Sequence, residues 1–391
     1  SFLCYEKHGR IRKKKKYNME SKIFNLSLPL KITVALITGL WCLIAVFPLL
    51  WILVMSIKLP VDSFASNPLE VIFGPATKLQ VGGLSIINLL VISVMIYVLY
   101  KIYQLRFRFL SIVTHTIKFP VISFFINLLA FIFIVYVGLI IIQPLLSESL
   151  NSFFSSISVL HLIAKPVIGF TSQHYEAVWV ENEFYKQFFN TIIVTSGVVT
   201  ISLAVGTLAG YGLARTNSMM AFWLLIAALL FRALPHSVLV TGYLEPFINY
   251  GLYGKRTAVI ILLVAINQPF TIWMLRSFFM NIPQDLDEAA QIDGCNPFQA
   301  FWKIIMPLMW PGVITTGLFS FLLAYNDYLV ASLLLDGQSQ TMVPAIIQYF
   351  NMETKMTDLV EAIAAAASIT APLFLLVMFF QKQIISGLTT G

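Results

Sequence analysis

The chain has 391 residues, of which 58% are hydrophobic and only 11% charged, and its mean hydropathy is +0.84. A water-soluble domain of this length does not carry such a composition, so lipid is the solvent for most of it. The formal net charge is +7, but the basic residues flank apolar runs and do not line one face, which argues against a nucleic-acid surface. Cys4, Cys42 and Cys295 and the five scattered histidines have neither metal-ligand spacing nor the density of a disulfide framework. No metal and no cofactor bound by this chain is expected. Walker A, HExxH and GxSxG sequences are absent, so the chain is expected to be neither the nucleotide-hydrolysing engine nor an enzyme of those classes.

Residues 1–31 are polar and carry a dense basic run, Arg10, Arg12 and Lys13 to Lys16. Two readings stand for it: a solvated cytoplasmic tail, or a contact for anionic lipid headgroups. Residues 32–57 are apolar for long enough to cross a bilayer and too long for a signal peptide, and the basic run fixes their amino end inside. An outer loop is expected at 58–83, then two spans at about 84–103 and 119–142. Lys101, Arg106, Arg108 and Lys118 place the connection between those two spans in the cytoplasm. Asn88 and Asn127 within the pair suit helix–helix hydrogen bonds. In the mixed segment 143–187, residues 150–160 alternate Phe, Ser and Ile and predict an amphipathic interfacial helix.

Five further spans are expected at 188–214, 222–241, 257–279, 304–335 and 359–385. The first of these carries Gly197, Gly206, Gly210 and Gly212 for close helix packing. Pro235 is expected to kink the next. The total is eight crossings with both termini cytoplasmic. Lys255 and Arg256, on the outer side, are the main exceptions to the charge rule.

Between two spans lies NIPQDLDEAAQIDGCNPFQAFWKIIMP, residues 281–307, rich in acids and amides. Pro283 suits a first helical position, and Asp285, Asp287 and Glu288 crowd a first turn, where the helix dipole favours acids. Gly294 supplies a stop, and Asn296-Pro297 reads as a fresh cap and first turn. Leu286, Ala289, Ala290 and Asp293 share one face. A short bent pair of helices between apolar spans reads as a docking piece; the plainer reading is a surface hairpin with no partner.

Glu288-Ala289-Ala290, three residues, Gly294, nine residues, Ile304, one residue, then Met306-Pro307 resembles the EAA signature of ABC importer permeases, with Met306 for the usual Leu. The resemblance implies an all-α membrane protein with the six-helix type I ABC importer permease core, here with an inserted pair of transmembrane helices. In those terms residues 1–31 are a tail and 32–57 the first helix. Residues 58–168 are an outer loop with the inserted pair, and 169–391 are the permease core with EAA coupling helices at 281–303. It further implies separate ATPase subunits coupled through Asp285, Leu286, Glu288, Ala289, Ala290, Asp293, Gly294 and Pro307, with Glu288 making a charge-assisted contact to a basic group. The implied partners are a second, larger permease subunit, two copies of an ABC ATPase subunit carrying ATP and Mg, an extracytoplasmic solute-binding protein and membrane lipid. The setting implied is a bacterial cytoplasmic membrane.

Three passages resemble the carbohydrate, maltose-type branch and its smaller permease subunit: Trp273 to Phe279 leading into Ile282-Pro283, Ala324 to Leu329, and Gln381 to Gly391. They imply import of a sugar, a di- or oligosaccharide, with glycerol-phosphate or another polyol as the alternative. The last passage implies a tail reaching between the ATPase subunits, and residues 336–358 resemble the outer loop that enters the binding protein's cleft. Asn267, Gln268, Tyr325, Asn326, Asp327 and Tyr328 are candidates for a pathway wall, exchanging hydrogen bonds with sugar hydroxyls and stacking on the ring. The alternative for each is a hydrogen bond that orients a helix. The resemblance does not reach 84–158; for the inserted pair a lipid-facing brace and a dock for lipid or another membrane protein both stand. An ion-coupled secondary transporter would need mid-membrane carboxylates, and Asp327, near one helix end, is the sole candidate.

Overall fold

The computed structural model describes residues 28–113, 133–157, 161–216, 218–232, 236–350 and 355–390. The basic tail, Asn127, Pro235 and its kink lie outside the described residues. The chain divides into two units at Leu53/Val54. Helix α1, Leu28–Ser56, supplies the first, and its apolar side chains are exposed from Leu28 to Leu50, a surface suited to hydrocarbon.

Six described helices are long and apolar enough to cross a membrane: Leu28–Ser56, Phe133–Ser155, Tyr185–Arg215, Arg256–Met280, Pro297–Tyr325 and Met356–Gln381. Two of the eight expected crossings therefore fall short by that measure. The first is the apolar stretch Ile86–Ile102 of the longer helix that follows strand β1 (Gly83–Ser85), α2 (Ile86–Val113). The stretch expected to cross at 222–241 is described as two helices on either side of 233–235. The third crossing also differs from expectation. Its helix does not end near 142; it runs through a wide π-type turn, Val137–Ile142, into α3, Gln143–Ser155. Residues 150–155 are thus the end of a spanning helix, with no separate interfacial helix there. Serine hydroxyls that looked polar in the sequence bond back to their own helix: Ser147 donates to the Gln143 carbonyl at 2.8 Å and Ser149 to that of Leu145 at 2.8 Å.

The segments that flank α2 and α3 are tied together. Strand β1 pairs antiparallel with β2, Pro166–Gly169, with Gly83 opposite Gly169. Side chains cannot enter here: a Cβ on Gly83 would lie 2.1 Å from the Ile168 carbonyl oxygen, and one on Gly169 2.3 Å from that of Gly74. The expected loop at 58–83 is instead a folded lobe of three short helices, Pro60–Ser63, Pro68–Phe73 and Pro75–Gln80, each opened by proline, which has no N–H to leave unsatisfied. Asp62 is buried and accepts from the Ala76 and Thr77 amides at 3.1 and 2.6 Å and from the Thr77 hydroxyl at 2.6 Å. Buried Lys58 donates to the Gly169 carbonyl, and its own carbonyl accepts from His174 Nε2 at 2.9 Å. Burial pushes the Lys58 amine down to about 8, against the upward pull of Asp62, and lowers His174 as well.

The remaining helices form the bundle: α4 (Tyr185–Arg215), α5 (Met219–Arg232), α6 (His236–Asn249), α7 (Arg256–Met280), α8 (Asp285–Ile292), α9 (Met306–Tyr325), α10 (Leu329–Leu334) and α11 (Met356–Thr390). Lipid tails are as apolar as leucine, so packing quality and polar ties, not burial from water, hold such helices together. On α4, Gly206 lets Thr271 of α7 approach so closely that a Cβ would meet its methyl at 2.6 Å, and Gly197 and Gly210 likewise face α7. Gly212 has nothing within 4 Å and contributes no close packing. Val194 and Val198 of α4 pack with Leu262, Leu263 and Ile266 of α7. The crossing expected over 304–335 ends at Tyr325, because Asp327 starts a new helix by accepting from the Ala331 amide at 2.9 Å. The off-rule Arg256 donates to Asn190 Oδ1 at 2.8 Å, and Asn190 in turn holds the Gln338 and Gln340 carbonyls. The charge fastens one end of the bundle.

Candidate functional site: a polar elbow between two spans

The elbow forms as its residues dictate. Asp285, Asp287 and Glu288 occupy the first turn of α8. Gly294 has φ +85°, the left-handed region that a side chain disfavours, and its amide returns to the Gln291 carbonyl at 3.0 Å. The chain restarts at once with a reciprocal cap: Gln299 N–H donates to Asn296 Oδ1 at 2.8 Å, and Asn296 N–H donates to Gln299 Oε1 at 3.1 Å. From Pro297 the chain winds through a π-type turn, Phe301–Ile305, straight into α9. Pro307 therefore lies in the first turn of α9, inside one continuous helical rod, Pro297–Tyr325.

One carboxylate secures this elbow to the bundle. Asp287, 8% exposed, accepts from the Tyr211 hydroxyl at 2.6 Å and from Arg215 Nε at 2.8 Å, and Arg215 Nη2 lies 2.8 Å from Oδ2 as an ion pair. Arg215 also donates from Nη1 to the carbonyls of Phe279 and Ile282 at 3.2 Å, where α7 ends. Its guanidinium lies 5.6 Å from the centre of the Tyr211 ring. Tyr211 packs against Phe279 and Phe301, with ring centroids 5.5 and 4.9 Å away. Three elements, the ends of α4 and α7 and the start of α8, thus converge on one charge-assisted cluster backed by Leu275, Phe279, Phe301 and Ile305.

Sequence reasoning did not find that cluster; it read Asp287 as a dipole residue and Arg215 as a helix end. The signal available was an arginine closing one span and a surplus acid two residues into the elbow. The four residues expected to share a face are also divided. Ala290 is buried, whereas Leu286, Ala289 and Asp293 are exposed, as are Asp285 and Glu288. Beside them stand apolar side chains that the sequence reading passed over: Ile292 at 86% exposed, Phe298 and Trp302. Phe298 and Trp302 are four residues apart and meet edge to face at 6.3 Å. The elbow so presents acids, small side chains and an aromatic pair on its free side.

The other candidates are not gathered into one wall. Asn267 is 1% exposed and donates to Thr271 and Ser320 hydroxyls at 3.0 and 2.7 Å. Gln268 donates to the Ser202 carbonyl at 3.3 Å, while its Oε1 has no hydrogen-bond partner among the described residues. Tyr325 is 3% exposed, stacks on Phe321 at 5.0 Å and donates to the Ile369 carbonyl. Asn326 donates to the Leu322 carbonyl of its own helix, and Tyr328 is 43% exposed.

Residues 188–389 match the family described as the binding-protein-dependent transport system inner membrane component. The chain belongs to that family. Its curated relatives include a maltodextrin transport system permease of Streptococcus pneumoniae, 26% identical over 67% of this chain and 94% of that protein. A trehalose transport system permease of Mycobacterium tuberculosis is 32% identical over 56% and 81%. A trehalose/maltose transport system permease of Thermococcus litoralis is 34% identical over 52% and 73%. Within this family of inner-membrane transport components the chain is a multi-pass membrane protein, and the helices at 86–113 and 133–155 precede the matched region.

Proposed function

We propose that this chain is the permease subunit of an ATP-driven ABC importer that moves a sugar, a di- or oligosaccharide, across a bacterial cytoplasmic membrane. The observation that carries the reading is the elbow pinned through Asp287 to Tyr211 and Arg215, because a coupling part must be stiff toward the spans and free toward a partner. Its free side would enter a groove on a separate ATPase subunit, with Glu288 meeting a basic group and Phe298 and Trp302 filling apolar space. A charge-assisted contact of that kind is worth roughly 1.5–3 kcal/mol. Asp285, Leu286, Ala289 and Asp293 would complete the contact, Ala290 would seat α8, Gly294 would set the bend, and Pro307 would begin the outgoing span. Two ATPase copies carrying ATP and Mg would close, and the elbow would pass that motion to α4, α7 and α9. Sugar relatives by name support the substrate class.

In this arrangement the chain crosses eight times with both termini cytoplasmic, works beside a second, larger permease subunit and receives solute from an extracytoplasmic binding protein. Gln268, Asn326 and Tyr328 are the pathway candidates that retain free hydrogen-bonding capacity or exposure; Asn267, Tyr325 and Asp327 would shape the wall from behind. The test is to purify the assembled complex and measure which solute stimulates its ATPase. Stimulation by a neutral oligosaccharide, lost in Glu288→Lys and Gly294→Asp variants that still insert, supports the reading. Stimulation by glycerol-phosphate alone would move the substrate to another polyol, and proton-driven uptake without ATP would overturn it.

A further inference from the structure

The inserted pair carries a cleft that neither the elbow nor the bundle uses. It opens between the start of α2 and the length of α3, holds about 580 Å³, and is lined by Asn88, Gln143, Glu148, Asn151, Ser152 and Ser155 among others. That is within the usual size of a small-molecule site, roughly 300–1,000 Å³. Leu84 and Ala164 give it apolar edges beside the β1–β2 ribbon. Among the described residues no lysine, arginine or aromatic ring lines it, so nothing there neutralises a phosphate or a uronate.

Its amides are held in place. Ser85, 2% exposed, lies 3.0 Å from Asn88 Oδ1 and 2.8 Å from Asn151 Oδ1, and accepts from the Asn88 backbone N–H at 3.2 Å. Asn151 Nδ2 also donates to Asn88 Oδ1. The oxygen of Asn88 is therefore occupied while its NH2 keeps both donors, and Asn151 keeps one. The Gln143 side-chain amide donates to Ser147 at 3.3 Å and keeps its Oε1 as an acceptor, and Glu148 offers acceptors only. Fixed donors and acceptors alternate around a cleft with apolar edges. Vicinal hydroxyls, each both donor and acceptor, complement such an array; a lone carboxylate favours hydroxyl donors and repels anions.

We propose that this cleft binds a neutral glycosyl group. The proposal takes from the transport reading only that sugars reach this part of the protein. Two sources carry that chemistry, a free oligosaccharide and the headgroup of a neutral glycolipid, and the pair's place among membrane helices admits both. The ribbon across the base of the pair keeps Leu84 and Ser85 registered against Ile168 and Pro166, so the site is formed before any ligand arrives.

The test uses the assembled importer in nanodiscs without nucleotide. One arm titrates maltotriose; the other reconstitutes diglucosyl diacylglycerol beside phosphatidylglycerol and weighs retained lipid by native mass spectrometry. At least one arm is expected to give a saturable site that Ser152→Trp, filling the cleft from an exposed position, weakens about tenfold or more, the equivalent of roughly 1.4 kcal/mol. Glu148→Gln, which keeps shape and loses charge, is expected to weaken it about threefold, in keeping with one hydrogen bond. A maltotriose site alone assigns the free sugar, and a glycolipid site alone assigns the headgroup. No site in the wild type, a site indifferent to Ser152→Trp, or phosphatidylglycerol held as tightly as the glycolipid overturns the proposal. Binding is read without ATP, so failure here is distinct from failure of the transport reading, which is the absence of any sugar-stimulated ATPase.

Discussion

Arg215→Met is the sharpest perturbation of the elbow. The substitution removes two contacts to Asp287 at 2.8 Å and two bonds, to the carbonyls of Phe279 in α7 and of Ile282 just past it, at 3.2 Å. Stripping one member from a fully buried pair costs roughly 3–5 kcal/mol. Here the side chains keep 15% and 11% of their exposure, and Tyr211 still donates to Asp287 at 2.6 Å. The expected penalty is therefore about 2–3 kcal/mol, spent on releasing α8 from the bundle and not on unfolding the spans. If the pinned elbow is the form an ATPase subunit recognises, the apparent affinity falls with its population, by at most about 30-fold for 2 kcal/mol. The assay titrates purified ATPase subunits onto the reconstituted permease. A double variant, Arg215→Met with Asp287→Leu, leaves no stranded charge and should recover part of the loss. Wild-type affinity and uptake in Arg215→Met, or a double variant that loses the sum of the two single effects, would refute the reasoning.

Gly294 has open space around a hypothetical Cβ, so its substitutions test backbone conformation alone. Gly294→Val should cost about 1–2 kcal/mol and lower uptake, while Gly294→Asn should be milder, as measured by transport in matched membranes. In the folded lobe, Gly169→Ala would press a methyl against the Gly74 carbonyl and the Lys78 amide; limited proteolysis near residue 83 should accelerate relative to wild type. Lys58 supplies a pH test. Its folded value of about 8 lies below the ordinary 10.5, so between those values the unfolded chain keeps a proton that the folded lobe has released. Stability of the lobe should thus rise with pH from about 8 to 10.5 and fall as pH drops through 8. Hydrogen exchange at the Leu59 and Thr77 amides, corrected for intrinsic rate, measures it, and Lys58→Met should flatten the slope.

Six of the eight expected spans were legible because lipid demands long apolar runs, and the elbow because Gly294, Asn296 and Pro297 punctuate it locally. What escaped depends on partners distant in sequence. Asp287 and Arg215 are 72 residues apart, and no local pattern says that one arginine reaches both that acid and two helix-end carbonyls. The lobe at 58–83 escaped for the same reason: Asp62 and Lys58 look like ordinary loop charges until Thr77, Gly169 and His174 supply their bonds. Hydroxyls misled in the opposite direction. Ser152 and Ser155, inside the stretch expected to be interfacial, donate to the Ser149 and Ser152 carbonyls of their own helix, which ends Phe133–Ser155 as one piece. Tyr325 and Asn326 shared a motif in sequence, but the helix ending between them buries one and exposes the other.

The rod from Pro297 to Tyr325 spans 29 residues, about 43 Å at 1.5 Å per residue. An oar of that length multiplies what happens at its handle. Swinging it by 10° about its elbow end would carry the blade, where Asp327 begins the next turn of chain, through about 7 Å at that rise per residue. A displacement of that order exceeds the width of a hydroxyl, so small strokes at the elbow would suffice to open or shut a passage at the opposite end.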